Sequence, residues 1–180
     1  MVDVPEKLSP LRDLAMPRLV GGEATVELSE RLCESLVQVQ SWPISMIKVE
    51  KALKYLKQAV VMPSGPGRWL VEAEDEGLEE ELRETLPIDL AAITGLTHAR
   101  VVVSISGENA TWVLASGIAL DFELDVFPVG ATQLCHHHEI GLTIHRTAED
   151  HFDLYVFTSL SRSFWQWIER ASAEVGCRIV

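Results

Sequence analysis

The sequence has no apolar run near the ~18–20 residues that a membrane-spanning helix needs. Its longest such stretches, Ala59–Met62 and Val101–Val103, are short, so no membrane is expected as a partner. The start, Met1-Val2-Asp3-Val4-Pro5-Glu6-Lys7, lacks a basic segment followed by an apolar one, and no secretory signal is read there. Cysteine is scarce. Cys33, Cys135 and Cys177 are odd in number and follow no pattern, which points to reduced thiols and a cytoplasmic setting. Positive charge is also short, with 15 Lys and Arg against 27 Asp and Glu and a formal net charge of −12. Such a surface repels a polyanion, so nucleic acid is not an expected partner. Gly-x-Ser-x-Gly, Cys-x-x-Cys and Gly-x-x-x-x-Gly-Lys-Ser/Thr are all missing. Gly65-Pro66-Gly67 is too short and too constrained by its proline to cradle a phosphate.

What remains is a foldable chain. Of its 180 residues, 47% are hydrophobic, enough for a core and too many for intrinsic disorder. That length suits a single domain (1–180), with two α+β halves, about 20–90 and 91–180, as a possible subdivision. No repeat of fixed period is present. Pro5, Pro10 and Pro17 mark an irregular lead-in, ended by Gly21-Gly22. Ala24–Leu28 and Leu36–Trp42 read as strands from their β-branched residues.

Ile44–Val60 reads as an amphipathic helix. Met46, Val49, Ala52, Leu53, Leu56 and Val60 form a stripe about 120° wide, with Lys48, Lys51, Lys54 and Lys57 on the other side. Pro63–Gly67 is read as a loop, Arg68–Ala73 as a strand, and Gly77–Leu86 as an acidic helix closed by Pro87. The second half reads as strand His98–Ser106, helix Glu108–Ser116, a connection from Ile118 to Gly130, strands Ala131–His138, Gly141–Thr147 and Phe152–Thr158, and a helix Ser161–Val175. This order predicts an α+β fold with mostly antiparallel sheets and helices on one face.

Three side-chain groups invite chemistry. A tight turn at Ile140-Gly141 would set His136 opposite His145 and put His138 on the same face, with Cys135, His137, Leu142 and Ile144 on the core side. Imidazoles sharing a face suit zinc, yet nothing nearby is fixed to orient them, and a solvated or partner-facing surface is the better reading. Asp121, Glu123 and Asp125 lack the rest of a calcium loop and read as an acidic connection. The lysine face is the localised basic feature of an acidic chain, since every lysine lies at or before Lys57. It suits an acidic partner, or the acids of Glu72–Glu84 in the same molecule. No catalytic, cofactor-binding or metal-binding residue emerges.

Several runs in order carry a resemblance. They are Ala99–Gly107, Ala110–Gly117, Leu120-Asp121, Phe127-Pro128-Val129-Gly130 with Thr132, His145-Arg146, Phe152–Val156, and then Ser159, Phe164 and Trp167. With Ser9-Pro10-Leu11 and Gly67–Val71, they resemble the gamma subunit of heterotetrameric sarcosine oxidases. The resemblance implies a fold like the folate-binding domain of glycine-cleavage T-proteins. It also implies a subunit that binds no cofactor itself, beside alpha and beta subunits holding NAD, FAD, covalent FMN and tetrahydrofolate, and a delta subunit holding zinc. The complex so implied oxidatively demethylates an N-methyl amino acid, typically sarcosine. Ala92–Thr97 and Phe157-Thr158 depart from the family's usual residues, which leaves the subunit contacts and the substrate open. A free-standing T-protein-like folate-binding domain and an acidic scaffold protein are the alternative readings.

Two tryptophans are candidate partner contacts. On the final helix, Leu160, Phe164, Trp167, Ile168, Ala171 and Val175 form the apolar stripe, leaving Trp165 outside it. On Glu108–Ser116, Ala110, Val113 and Leu114 face inward and Trp112 points away. Either Trp112 and Trp165 pack against a large subunit, or the proline-rich lead-in folds back over them.

Overall fold

The computed structural model describes residues 9–75 and 77–180. Among the described residues, eleven strands and four α-helices follow one another in chain order, with a 3-10 turn at Thr158–Leu160. β1 (Arg18–Val20), β2 (Val26–Arg31) and β3 (Ser35–Ser41) lead into α1 (Met46–Leu53). The hairpin β4 (Ala59–Gly65) and β5 (Arg68–Ala73) precedes α2 (Leu78–Thr85) and β6 (Ala91–Gly95). Then come β7 (Arg100–Ser106), α3 (Ala110–Ala115), β8 (Thr132–His137), β9 (Ile140–Ala148), β10 (His151–Phe157), α4 (Ser161–Ala173) and β11 (Cys177–Ile179).

The strands form two sheets. The larger has the order β1-β11-β2-β7-β10-β9-β8 and the smaller β4-β5-β3-β6. Every pairing is antiparallel except β11 with β2, so the expected α+β fold with mostly antiparallel sheets is what forms.

Period-two alternation distributes side chains among three cores. Val101, Val103 and Ile105 of β7, with Phe152, Leu154 and Val156 of β10, point towards α3 and α4. Their alternates Val102 and Tyr155 meet Leu36, Met62 and Leu70 of the smaller sheet. On that sheet's far face Val37, Val39 and Val71 pack against Val49 and Leu53 of α1 and Leu78 and Leu82 of α2. The molecule is therefore stacked helix, sheet, sheet, helix, and each sheet carries its helices on one face. With both faces covered, β7 is buried from Val101 to Ile105, which explains why apolar residues occupy both of its faces, interrupted only by Ser104.

Sequence and structure differ where short elements depend on distant partners. The helix expected over Ile44–Val60 stops at Leu53, because Ala59–Val61 pair with β5 instead. Pro63 is accommodated because β4 is an edge strand, and the expected loop shrinks to Pro66-Gly67, with Gly67 at φ 65°. β1, β6 and β11 are only three to five residues long and show no periodicity of their own. All three cysteines are buried, and desolvation pushes the Cys135 thiol up to about 12 and Cys177 up to about 11. No helix among the described residues is long and apolar enough to cross a membrane.

Candidate functional site

The β8–β9 hairpin turns at His138-Glu139, two residues earlier than the sequence suggests, with His138 at φ 48°. The observed register keeps Ile140 opposite His137 and packed on the main core, whereas a turn at Ile140 would expose it. His136 consequently pairs with Gly141 and His145 with Thr132. These two imidazoles still share a face, but lie about 13 Å apart along the strand. Among the described residues, no three His, Cys, Asp or Glu side chains converge on a metal position.

His137 does turn inward as read, together with Cys135, Leu142 and Ile144. Its ring stacks on Trp167 at 3.8 Å, and its Nδ1 lies 3.1 Å from the Gly117 carbonyl. Burial lowers the pKa of His137, outweighing the Gly117 hydrogen bond, which raises it. Gly117 is required by this approach: a Cβ there would sit 2.4 Å from the Trp167 ring.

A polar network that sequence reasoning missed joins the two sheets. Arg31 on β2 donates from Nη1 to Glu72 Oε1 at 2.5 Å and from Nη2 to Glu72 Oε2 at 2.9 Å. Its Nε donates to Asp153 Oδ2 at 3.0 Å, and Nη2 also reaches the Tyr155 hydroxyl at 3.1 Å. Tyr155 donates to Glu72 at 2.5 Å, and Ser104 donates to Asp153. Burial alone would raise the Glu72 pKa, but hydrogen bonds from Arg31 and Tyr155 prevail and hold it below the usual value. Desolvation raises Tyr155, so its phenol stays protonated and able to donate. His145 is lowered by burial, against the pull of Asp153 and Glu72. Two signals for this network stood in the sequence: Asp153 lies inside the apolar run Phe152–Val156, and Glu72 continues the strand after Val71.

An open cleft of about 1620 Å³ borders the network, with Arg31, Tyr155 and His145 on one side and Tyr55 and Lys57 on another. The network's charged groups are spent on one another, which makes it a clamp between sheets. The sequence also did not reveal the role of Arg146, which is buried at 3% exposure. It donates to the carbonyls of Phe122 and Phe127, both at 2.7 Å, and to that of Glu149 at 3.0 and 2.6 Å. It thereby pins the connection between α3 and β8.

The β7–α3 turn does not fit a dinucleotide phosphate. A Cβ on Gly107 would meet the Thr25 carbonyl oxygen at 2.3 Å, so the backbone at the start of β2 already fills that approach. The β5–α2 junction carries Glu74 and Asp75, the wrong sign for an anion.

The tryptophans divide. Trp112 is 49% exposed, opposite the buried Ala110, Val113 and Leu114, as its helical position predicts. Trp165 does not look outward: it is completely buried, with its indole N–H donating to Glu169 Oε2 at 3.1 Å. The lead-in is the reason. Leu11 is fully buried in the same core, Arg162 binds Asp13 and the Pro10 carbonyl, and Arg18 pairs with Glu169 at 2.7 Å. This segment covers the α4 face that the helical stripe left to solvent, and Trp165 is withdrawn as a partner contact.

Four layers, with two mostly antiparallel sheets each coated by helices on one face, define an α+β fold. The structure is similar to glycine cleavage system aminomethyltransferase T from Bartonella henselae, with TM-score 0.57 and 15% identity over 81% of this chain and 45% of that one. This chain thus spans less than half of that protein. It is similar over nearly its whole length to a chain of the heterotetrameric sarcosine oxidase from Corynebacterium sp. U-96, solved in complex with pyrrole 2-carboxylate. There the TM-score is 0.80 and the identity 21%, over 93% of this chain and 95% of that one. The model of the sarcosine oxidase gamma subunit family matches residues 41–174, and the chain belongs to that family. Among curated proteins, none matches this sequence.

Proposed function

We propose that this chain is the non-catalytic gamma subunit of a heterotetrameric sarcosine oxidase-like complex acting in the cytoplasm. The observation that carries this reading is mutual coverage: nearly all of this chain corresponds to nearly all of one chain in such a heterotetramer. The family match over residues 41–174 supports it independently. In this reading the partners are alpha, beta and delta subunits, and FAD, FMN, NAD, tetrahydrofolate and zinc reside on them. Flavin on those subunits would accept the hydride equivalent from the N-methyl carbon, and the one-carbon unit would pass to tetrahydrofolate or, after addition of water, leave as formaldehyde, giving glycine or the parent amine. The residues of this chain contribute a rigid two-sheet body, clamped by Arg31 and Glu72, and an exposed Trp112 suited to anchor a partner.

Co-expression with the oxidase subunits from the same source tests this directly. The full chain should co-purify with them, while the chain alone should be colourless and inactive towards sarcosine. A stoichiometric flavin on the isolated chain would contradict the reading. Saturable tetrahydrofolate binding by the isolated chain would favour a free-standing folate-binding domain instead.

A further inference from the structure

The surface formed by α1 and the segments beside it combines exposed apolar side chains with lysine cations. Ile44 is 96% exposed, Ile47 79% and Ile88 77%, with Trp42 and Met46 each at 40%. Large apolar side chains are seldom left so open on a monomer unless something covers them. They belong to two segments stitched together. The Trp42 indole N–H donates to the Ile88 carbonyl at 2.8 Å, the Trp42 amide to the Leu90 carbonyl at 3.2 Å, and the Ser45 hydroxyl to the same carbonyl at 2.5 Å. The platform is therefore rigid before anything binds.

Its rim is basic. On α1 Ile47 lies opposite the buried Val49, with Lys48 and Lys51 on its side of the helix and Lys54 at the helix C-cap. Lys54 is held by Glu50 at 3.0 Å. Every lysine of this acidic chain except Lys7 is gathered on or just after this helix.

We infer that the platform of Trp42, Ile44, Ile47 and Ile88 docks a carboxylate-rimmed apolar pocket on a large subunit of the complex, with the α1 lysines matching the carboxylates. This rests on the gamma-subunit reading above. Charge selects the occupant. A second copy of this chain would set lysines against lysines in an isologous contact. An anionic membrane is an extended plane and would also meet Glu79, Glu80 and Glu81 of α2, which lies over the same sheet face as α1, whereas a pocket on a protein can be confined to the platform. An acidic protein surface satisfies both the apolar centre and the basic rim.

The test uses the full chain co-expressed with the alpha and beta subunits, comparing wild type, Ile44→Asp/Ile47→Asp and Lys48→Glu/Lys51→Glu. All four positions are solvent-exposed, so thermal melts of the isolated variants should match wild type. The Asp variant should weaken association at least about tenfold, as loss of a central anchor does. The Glu variant should slow association and remove its dependence on salt between low and moderate ionic strength. Wild-type assembly by both variants overturns the inference while leaving the gamma-subunit reading intact. Failure of the wild-type chain itself to assemble overturns both. Sedimentation of the wild-type chain with phosphatidylserine-containing vesicles, or a wild-type homodimer abolished by the Asp variant, assigns the platform to a membrane or to a second copy and also overturns it.

Discussion

Arg31 on one sheet and Glu72 on the other are joined by two parallel hydrogen bonds of 2.5 and 2.9 Å, and this pair fastens the sheets together where their faces meet. Breaking a buried pair by removing one member costs about 3–5 kcal/mol. Arg31 is 35% exposed, so screening reduces the expected loss for Arg31→Ala to about 1–3 kcal/mol. Urea denaturation should show that loss. The double variant with Glu72→Ala should be more stable than additivity predicts, because Glu72 is then not left stranded and only Asp153 loses its Arg31 partner.

The two tryptophans should respond in opposite ways. Trp165→Ala removes a completely buried indole and should destabilise the isolated chain by about 3–5 kcal/mol. Trp112→Ala should leave the melting curve within about 0.5 kcal/mol of wild type. If Trp112 meets a partner subunit, its loss should appear in co-purification, with a cost on the order of 2 kcal/mol.

Arg146 is held by backbone carbonyls, and among the described residues no carboxylate pairs with it. Arg146→Ala should cost on the order of 3 kcal/mol, because the Phe122, Phe127 and Glu149 carbonyls lose their shared donor. Lysine should not rescue it, since a single ammonium cannot span donors arranged as a planar fork. Hydrogen exchange should quicken at Val126 and Phe127, whose turn carries the Phe122 and Phe127 carbonyls that the Arg146 side chain holds.

Stability should fall with acid in two stages. His137 and His145 have pKa values lowered by burial from 6.5, so the unfolded chain takes up protons first as pH drops below that value. Their contribution is complete above about 6.5 and is lost as pH falls through the folded values. Glu72 adds a second loss: its pKa is lowered from 4.5, so its stabilisation is present above that value and vanishes as pH falls through the folded one. Chemical denaturation at pH 7, 5.5 and 4 should show this order, and Glu72→Gln should flatten the lower stage.

Most of the long strands, the presence of the helices and the core side of the histidine hairpin were legible because local periodicity determines them, whereas β4 and the end of α1 were not. Val101–Ile105 and Ala110–Leu114 carry their own patterns. The hairpin register was not legible, since whether His138 or Ile140 takes the turn depends on the core beneath Ile140. Trp165 was misplaced for a related reason: helical geometry gives the angle of a side chain, while the lead-in that covers it is set by Arg162–Asp13 and Arg18–Glu169 contacts between residues far apart in sequence. The Arg31 network spans four strands, and its members become neighbours only once both sheets have formed.

The most direct test of the gamma-subunit reading is native mass spectrometry of the assembly purified through a tag on this chain, with sarcosine-dependent oxygen uptake followed on the same sample. The account predicts one copy of this chain with one each of three other subunits, flavin carried by the larger ones, and activity that travels with the assembly. This chain recovered alone, with sarcosine oxidation remaining in a fraction that lacks it, would contradict the account.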